Sequence, residues 1–543
     1  MSVRWMRLGA MVGGMALGTW AWEYDKAYRL PSLPLLGERG SADTAFYFYG
    51  DKSGTPKTYP RTAIPVRLSG FGALERDPSD TTGSTFWVLD DRGLSTAYET
   101  STFKARVFAF PDYHQKLVRL RVQGDSLAVL AIDSIATLES DTVFTTGLPS
   151  SKVPADETAL RGSLVAATVT ESATLAPVPG GYDFEALRVL PDGDFMASDE
   201  LGPALVRIDG KTRRVKQEWW PGKGLSPMFS NRRNNRGFEA MAVTPSGAVV
   251  AMLQSAADNP SKSNTKESRV IRVLRFDPAT ETSKEFVYLS DLKGAAARKA
   301  SEVKIGDLVA LSETRFLALE HGEDSRGKYW IDLVEFDIAL ATDIFDPLAR
   351  NKGKTFPIDG IWKTPEEIGM DTSTAVWEKA GIVPVSRRVL MDDLLAGGGA
   401  WTSHKPEGMV LWGDSTVVLL NDNDYGSQDK GSDGIPHILP ESERTISLVY
   451  LRLRPGTDVR SRRGGPGDGS LRVRSQGSLL RVESDAGSRE AVRLLDLRGV
   501  ERSRGAMEDG ICLLGTERVP RGVHVLEVGE GARLRRALVQ VVR

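Results

Sequence analysis

At 543 residues the chain is too long for one ordinary compact core, so it holds two domains or one large repetitive architecture with an appendage. With 41% hydrophobic and 26% charged residues it has globular composition, which excludes a disordered polymer. A net charge of −2 provides no global field, which argues against nucleic acid or an anionic membrane as partner.

The N-terminus opens with a basic stretch, MSVRWMR, and continues with a short apolar one, LGAMVGGMALGTWAW. This reads as a signal peptide over residues 1–22, cleaved near Ala21 to Glu23, and predicts a secreted or cell-surface protein. A membrane anchor is the competing reading, disfavoured by length. The sole cysteine, Cys512 in GICLLG, excludes an internal disulfide and a cysteine metal site, and is expected to be a buried apolar residue.

Five segments then share one grammar: Phe71 to Gly93, Asp183 to Gly202, Gly237 to Ala256, Ile305 to Asp324 and Lys405 to Asp424. Each opens on a small or acidic residue, runs through an apolar strand, turns at a sequence such as PDGD, PSGA or WGDS, and leaves a second apolar strand in a polar cluster. That is a β-hairpin, whose two open ends meet in space. Glu185 is therefore expected near Asp199 and Glu200, Glu239 near Gln254, and Glu407 near Asn421 and Asp422. Likewise, Gly306 and Asp307 are expected near Glu320, and Gly72 near Asp90 and Asp91.

Repeated hairpins that cannot bury both faces must stack, and the closed solution is a β-propeller. The expected fold is all-β: a propeller over residues 23–455 and a small C-terminal β-sandwich. Long gaps after Phe71 and Ile305 suggest room for further blades, six or seven in total. Residues 291–303 and 365–382 read as partly helical insertions. Residues 456–470 are rich in Gly, Pro, Ser and Arg and read as a linker. Residues 471–543 carry short alternating segments, the β-sandwich.

Four of the segments, GYDFEALRVLPDGDFMASDELGPALVRID, NNRGFEAMAVTPSG, GDLVALSETRFLALEHGED and KPEGMVLWGDSTVVLLNDND, resemble in order the phytase-like family described by esterase-like activity of phytase. The resemblance spans roughly residues 60–455 and implies a secreted propeller with phosphoester hydrolysis as its activity. VRLLDLRGVERSRG and VPRGVHVLEV resemble the type IX secretion sorting domain, with His524 where that pattern has Tyr. That second resemblance implies the secretion machinery as partner of the C-terminal module.

The open hairpin ends would converge on one mouth of the channel. Carboxylates this dense stay protonated, face water or bind cations, and an all-oxygen set suits Ca²⁺. The expected roles are catalysis for Glu185, Glu239 and Glu407, and cation binding for Asp90, Asp91, Asp199, Glu200, Glu320, Asn421 and Asp422. Arg236 and Lys405 are expected to bind phosphate, and His321 and His404 are further acid or ligand candidates. Any single strand-end acid is equally readable as a turn cap, and RRNNR as a solvated loop. Two functions stay open: a metal-assisted hydrolase acting on a small phosphoester, or a non-catalytic surface propeller that binds a ligand and keeps a structural Ca²⁺ site. The chain has no GxSxG elbow, HExxH zinc motif, Walker A loop or GxGxxG fingerprint.

Overall fold

A computed structural model describes residues 21–31, 33, 67–99, 104–108, 110–153, 157–161, 174–291, 300–347, 352–371, 373–395, 401, 403–413, 416–428 and 445–454. It also describes short strands at 49–50, 56–57 and 437–438, and the strands of the C-terminal unit between 471 and 541. The expected signal segment up to residue 20 and the expected linker lie outside the described residues, as do 292–299 of the first helical insertion.

The alternating apolar strands pair into five blades. The first runs through Phe71–Arg76, Thr85–Asp90, Lys116–Gln123 and Ser126–Ser134. The second holds Phe184–Val189, Phe195–Asp199, Ala204–Ile208 and Val215–Pro221; the third holds Phe238–Val243, Val249–Leu253, Val270–Asp277 and Thr282–Leu289. The fourth consists of Lys304–Ala310, Arg315–Glu323, Tyr329–Asp337 and Ser386–Met391. The fifth takes Pro406–Trp412, Thr416–Asn421 and Ser447–Arg454, and is completed by the N-terminal strand Ala21–Arg29. Arg29 also pairs in parallel with Ser126, joining the outer edges of the first and fifth blades. The turns close on glycines in the left-handed region, such as Gly193 at φ 89° and Gly247 at φ 90°, where a side chain would be strained.

The expectation of six or seven blades is corrected to five among the described residues. The innermost strand of each blade lies against that of the next, and Pro406–Trp412 lies against Phe71–Arg76, so the ring is closed. The long gap after Phe71 is spent on the outer strands of the first blade and on a separate sheet of Ser95–Glu99, Lys104–Phe108, Thr158–Arg161 and Thr174–Leu175. The gap after Ile305 goes into long fourth-blade strands and two short helices, Pro365–Ile368 and Ala375–Ala380. The first helix starts on a capping box in which Thr364 and Glu367 satisfy each other's backbone N–H groups.

Residues 24–412 and 416–451 form one compact unit, and residues 452–543 belong to a second. The second unit is all-β. It has a three-stranded sheet (Leu471–Gln476, Leu479–Ser484, Ile511–Gly515) and a four-stranded one (Glu501–Ala506, Ala491–Asp496, Gly522–Val528, Arg535–Val541). Cys512 is buried there and forms no disulfide.

Candidate functional site at the propeller axis

The five innermost strands each break register at the same point. The irregularity falls between Phe71 and Ala73, Phe184 and Ala186, Phe238 and Ala240, Ile305 and Leu308, and Pro406 and Gly408. Gly72, Glu185, Glu239, Gly306 and Glu407 are thus bulge residues. A bulge re-aims a side chain that regular alternation would send elsewhere. Carboxylate oxygens of Glu185, Glu239 and Glu407 all lie within 4.8 Å of one another. The two glycines have a steric reason. A Cβ on Gly72 would sit 2.8 Å from a carboxylate oxygen of Glu185, and one on Gly306 would sit 2.1 Å from the Pro406 carbonyl oxygen. Five blades leave an axis that admits three carboxylates at this level.

A second set of positions follows from the hairpin ends. The N–H of Asp91 bonds the Gly70 carbonyl, that of Glu200 bonds Asp183, that of Gln254 bonds Gly237, and that of Asp422 bonds Lys405. In the fourth blade His321 pairs with Lys304. Asp91, Glu200, Gln254, His321 and Asp422 are therefore equivalent, as are Gly70, Asp183, Gly237, Lys304 and Lys405. Asp91, Asp183 and Glu185 form a second group of carboxylates within 4.8 Å, sharing Glu185 with the first.

Alternation separates these residues from their neighbours. Asp90, Asp199, Glu320 and Asn421, expected as cation ligands, each precede the equivalent exit position by one residue and are engaged inside their own blades. Asp90 accepts from the Tyr113 hydroxyl and the Lys116 N–H. Asp199 accepts from the N–H groups of Asp183 and Leu201, each at 3.0 Å. Glu320 accepts from Tyr288 at 2.5 Å, the Asp291 N–H at 2.9 Å and Arg387 at 3.1 Å. Asn421 accepts from the Ser447 N–H and donates to the Thr445 carbonyl. These bonds hold the four side chains to their own blades, although Oδ2 of Asp199 is buried without a hydrogen-bond partner.

The axial positions gather more such atoms. Among the described residues, Oε1 of Glu200, Oε2 of Glu239, Oε1 of Gln254, Nε2 of His321 and Oε2 of Glu407 are buried without a hydrogen-bond partner. Burial, followed by the like charges of Asp91 and Glu239, pushes Glu185 well above the usual carboxylate range. Burial and then Glu407 do the same for Glu239. Glu200 is pushed up to about 7 by burial, against the opposing pull of Arg92 and Lys304. Asp422 is raised to about 8 by burial although Lys405 lies 2.6 Å away. His321 is pushed down to about 3 by burial and then by Lys304, Lys405 and Arg236, so it is a neutral imidazole. His404 stacks on Tyr329, with ring centroids 4.3 Å apart.

Three cations that sequence reasoning passed over shape the pocket. Arg92, buried beside the cluster, ion-pairs with Asp183 and, at 2.8 Å, with Glu157. Lys304 stands at the mouth opposite His321. Arg188 forms the floor: it donates to the Leu74 carbonyl at 2.9 Å, to Asp307 at 2.6 Å and to the Leu308 carbonyl, so one side chain ties the first, second and fourth blades across the axis. Asp307 also accepts from the Met409 N–H of the fifth blade at 2.7 Å. The repeat offered a signal for Lys304, which occupies the position of Asp183 and Lys405. Arg92 and Arg188 are not repeated, and nothing in the pattern marks them.

Of the expected phosphate ligands, Lys405 lies at the pocket, 3.8 Å from Glu407 and 2.7 Å from Asp424. Arg236 instead meets Glu302 at 3.3 Å along a cleft of about 740 Å³ that Arg233, Lys262 and Lys266 also line. Arg232 is turned to the Leu201 carbonyl and Arg233 to Asp258, which fixes the RRNNR loop to the second and third blades.

Among curated proteins none matches the sequence. Solved structures similar to the chain include PorZ, a bacterial surface component of the type-IX secretion system of Porphyromonas gingivalis (10% identity, TM-score 0.27, 90% of this chain and 61% of that one). Others are α-L-arabinofuranosidases of Podospora anserina (10%, TM-score 0.30, 78% and 98%) and Coprinopsis cinerea (10%, TM-score 0.31, 77% and 98%). The chain thus spans about three fifths of PorZ. The family model described as phytase-like, esterase-like activity of phytase, matches residues 66–425, the propeller that carries the axial carboxylates, and the chain belongs to that family.

Proposed function

We propose that the axial pocket hydrolyses a phosphoric ester with the help of a divalent cation, Ca²⁺ by the chemistry of its donors. The observation that carries this reading is the group of buried carboxylates at the axis, with unpartnered oxygens on Glu239 and Glu407 and lysines at the rim. The donor set fits the ion: it is all oxygen, preformed and largely buried. Asp91, Asp183, Glu185, Glu239 and Glu407 would hold it. A bound cation polarises a phosphoryl oxygen and lowers the pKa of a ligated water.

The chain's own groups do the rest. Lys304 and Lys405 bind phosphoryl oxygens by charge-assisted hydrogen bonds. Glu200, set near neutrality by burial, takes the proton of the attacking water, because a base is most effective with a pKa near working pH. Neutral His321 offers a hydrogen bond to the ester without adding charge. Arg188 ties the first, second and fourth blades together beneath the carboxylates and so holds the innermost strands in place.

Phosphate release from phytate and from p-nitrophenyl phosphate, with Ca²⁺ or with chelator, tests the reading. Activity should need the cation and should fall about 100-fold in Glu239→Gln. Release that persists in both Glu239→Gln and Glu407→Gln would sink it. A Ca²⁺-dependent thermal shift with no turnover of either ester would favour a ligand-binding propeller.

The reading includes export. The basic then apolar stretch at residues 1–22 and the resemblance of residues 471–543 to a sorting domain support a secreted or surface location. Fractionation of cells expressing the full chain and a chain lacking residues 471–543 checks it: retention of the truncated form inside the cell is expected.

A further inference from the structure

The axial carboxylates form two groups, not one. Asp91, Asp183 and Glu185 bring one oxygen each within 4.8 Å of one another, and Glu185, Glu239 and Glu407 do the same. Glu185 is the sole member of both. The two remaining pairs come from different blades: Asp91 and Asp183 from the first and second, Glu239 and Glu407 from the third and fifth. The second pair has no guanidinium or ammonium as near as Arg92 is to Asp183; Lys405 stands 3.8 Å from Glu407 and is held closer by Asp422 and Asp424. Glu239 is 2% exposed and Glu407 4%, and each aims an unpartnered oxygen into the group. A buried carboxylate oxygen without a partner is costly, so this one is built for a ligand that supplies positive charge.

Geometry gives the number. The five carboxylates fall into two groups of three joined through Glu185, so they offer two ligand sets and not one. We infer that the pocket binds two divalent cations side by side, one on Asp91 and Asp183 and one on Glu239 and Glu407, bridged by Glu185. This rests on the cation-dependent reading of the site and adds its stoichiometry and the distinct part of Glu185. Each ion receives three carboxylates, fewer than the six to eight oxygens Ca²⁺ takes, so both keep positions for water or phosphoryl oxygens. Asp91 is the one partly exposed member, which puts its ion on the solvent side. A pair spaced as in two-metal sites, about 4 Å, would grip two oxygens of one phosphoryl group.

The test uses the full chain stripped by chelator. Calorimetric titration with Ca²⁺ should give two ions per chain, one in Asp91→Asn, one in Glu407→Gln, and at least tenfold weaker binding of both in Glu185→Gln. Two bound Mn²⁺ should give an exchange-coupled electron paramagnetic resonance spectrum that becomes that of isolated ions in Glu185→Gln. One ion per wild-type chain, or two uncoupled ones, overturns the proposal. The single-group variants Asp91→Asn and Glu407→Gln keep it falsifiable if Glu185→Gln does not fold. Two ions without phosphate release would retain the pair and remove the hydrolase; release with one ion would do the reverse.

Discussion

Two regions bury charge, and they do so in opposite ways. Arg272, fully buried, donates to Glu366 at 2.6 and 3.1 Å and to Glu285 at 2.9 Å, and Asn259 adds a bond to Glu366 at 2.8 Å. No atom of that triad is without a partner among the described residues. It fastens the Pro365–Ile368 helix of the fourth-blade insertion to the third blade. At the axis the burial is equal, but carboxylates outnumber their cations and leave oxygens unpartnered. Burial alone therefore does not separate scaffold from site. Satisfaction does: a completed network is structure, and an incomplete one is a place where something else is to bind.

The strongest way to test this contrast is Arg272→Met. It leaves two carboxylates buried without a cation and should cost about 3–5 kcal/mol of stability, measured by denaturant unfolding, with Ca²⁺ affinity unchanged. Glu407→Gln should behave in the opposite sense. It should cut phosphate release about 100-fold, on the order of 2.7 kcal/mol of transition-state stabilisation, while the chelator-treated protein melts no lower than wild type because a repelling charge is gone.

Acid–base linkage gives a third test at the floor of the pocket. Glu75 is pushed up to about 7 by burial, against the pull of Arg188. Between its ordinary value of 4.5 and about 7 the unfolded chain has lost this proton and the folded chain keeps it, so stability falls as pH rises through that window and levels off above it. Its share is about 2 kcal/mol, read from unfolding midpoints of chelator-treated protein at pH 5, 6, 7 and 8, and Glu75→Gln should lessen the fall by that share, the other raised carboxylates keeping theirs. The smallest effect is expected at Arg236, which serves Glu302 and the side cleft: Arg236→Ala should change phosphate release by less than about fivefold, the scale of a partly exposed ion pair.

Much of the scaffold was legible because hairpin pairing is local. The turns, the apolar alternation and the recurrence of Glu185, Glu239 and Glu407 in one register required no knowledge of distant contacts. Asp91 and Glu200 could not be told from Asp90 and Asp199, since neighbours on a strand face opposite sides and a bulge shifts the parity unannounced. The blade count was overestimated because a long gap in sequence is equally a blade, an inserted sheet or a pair of helices. Gly72 and Gly306 looked like lost acids; they are where neighbouring strands come too close for a side chain.

An all-β repeat with acids at the open ends of its hairpins follows from the residues alone, because strand periodicity and turn chemistry act over a few residues. Closure of the ring by five blades, the ties of Arg188 across the axis and the membership of Glu185 in two carboxylate groups emerge only in the folded chain. Those facts depend on side chains more than a hundred residues apart meeting at one axis, and ring closure, not local preference, brings them there.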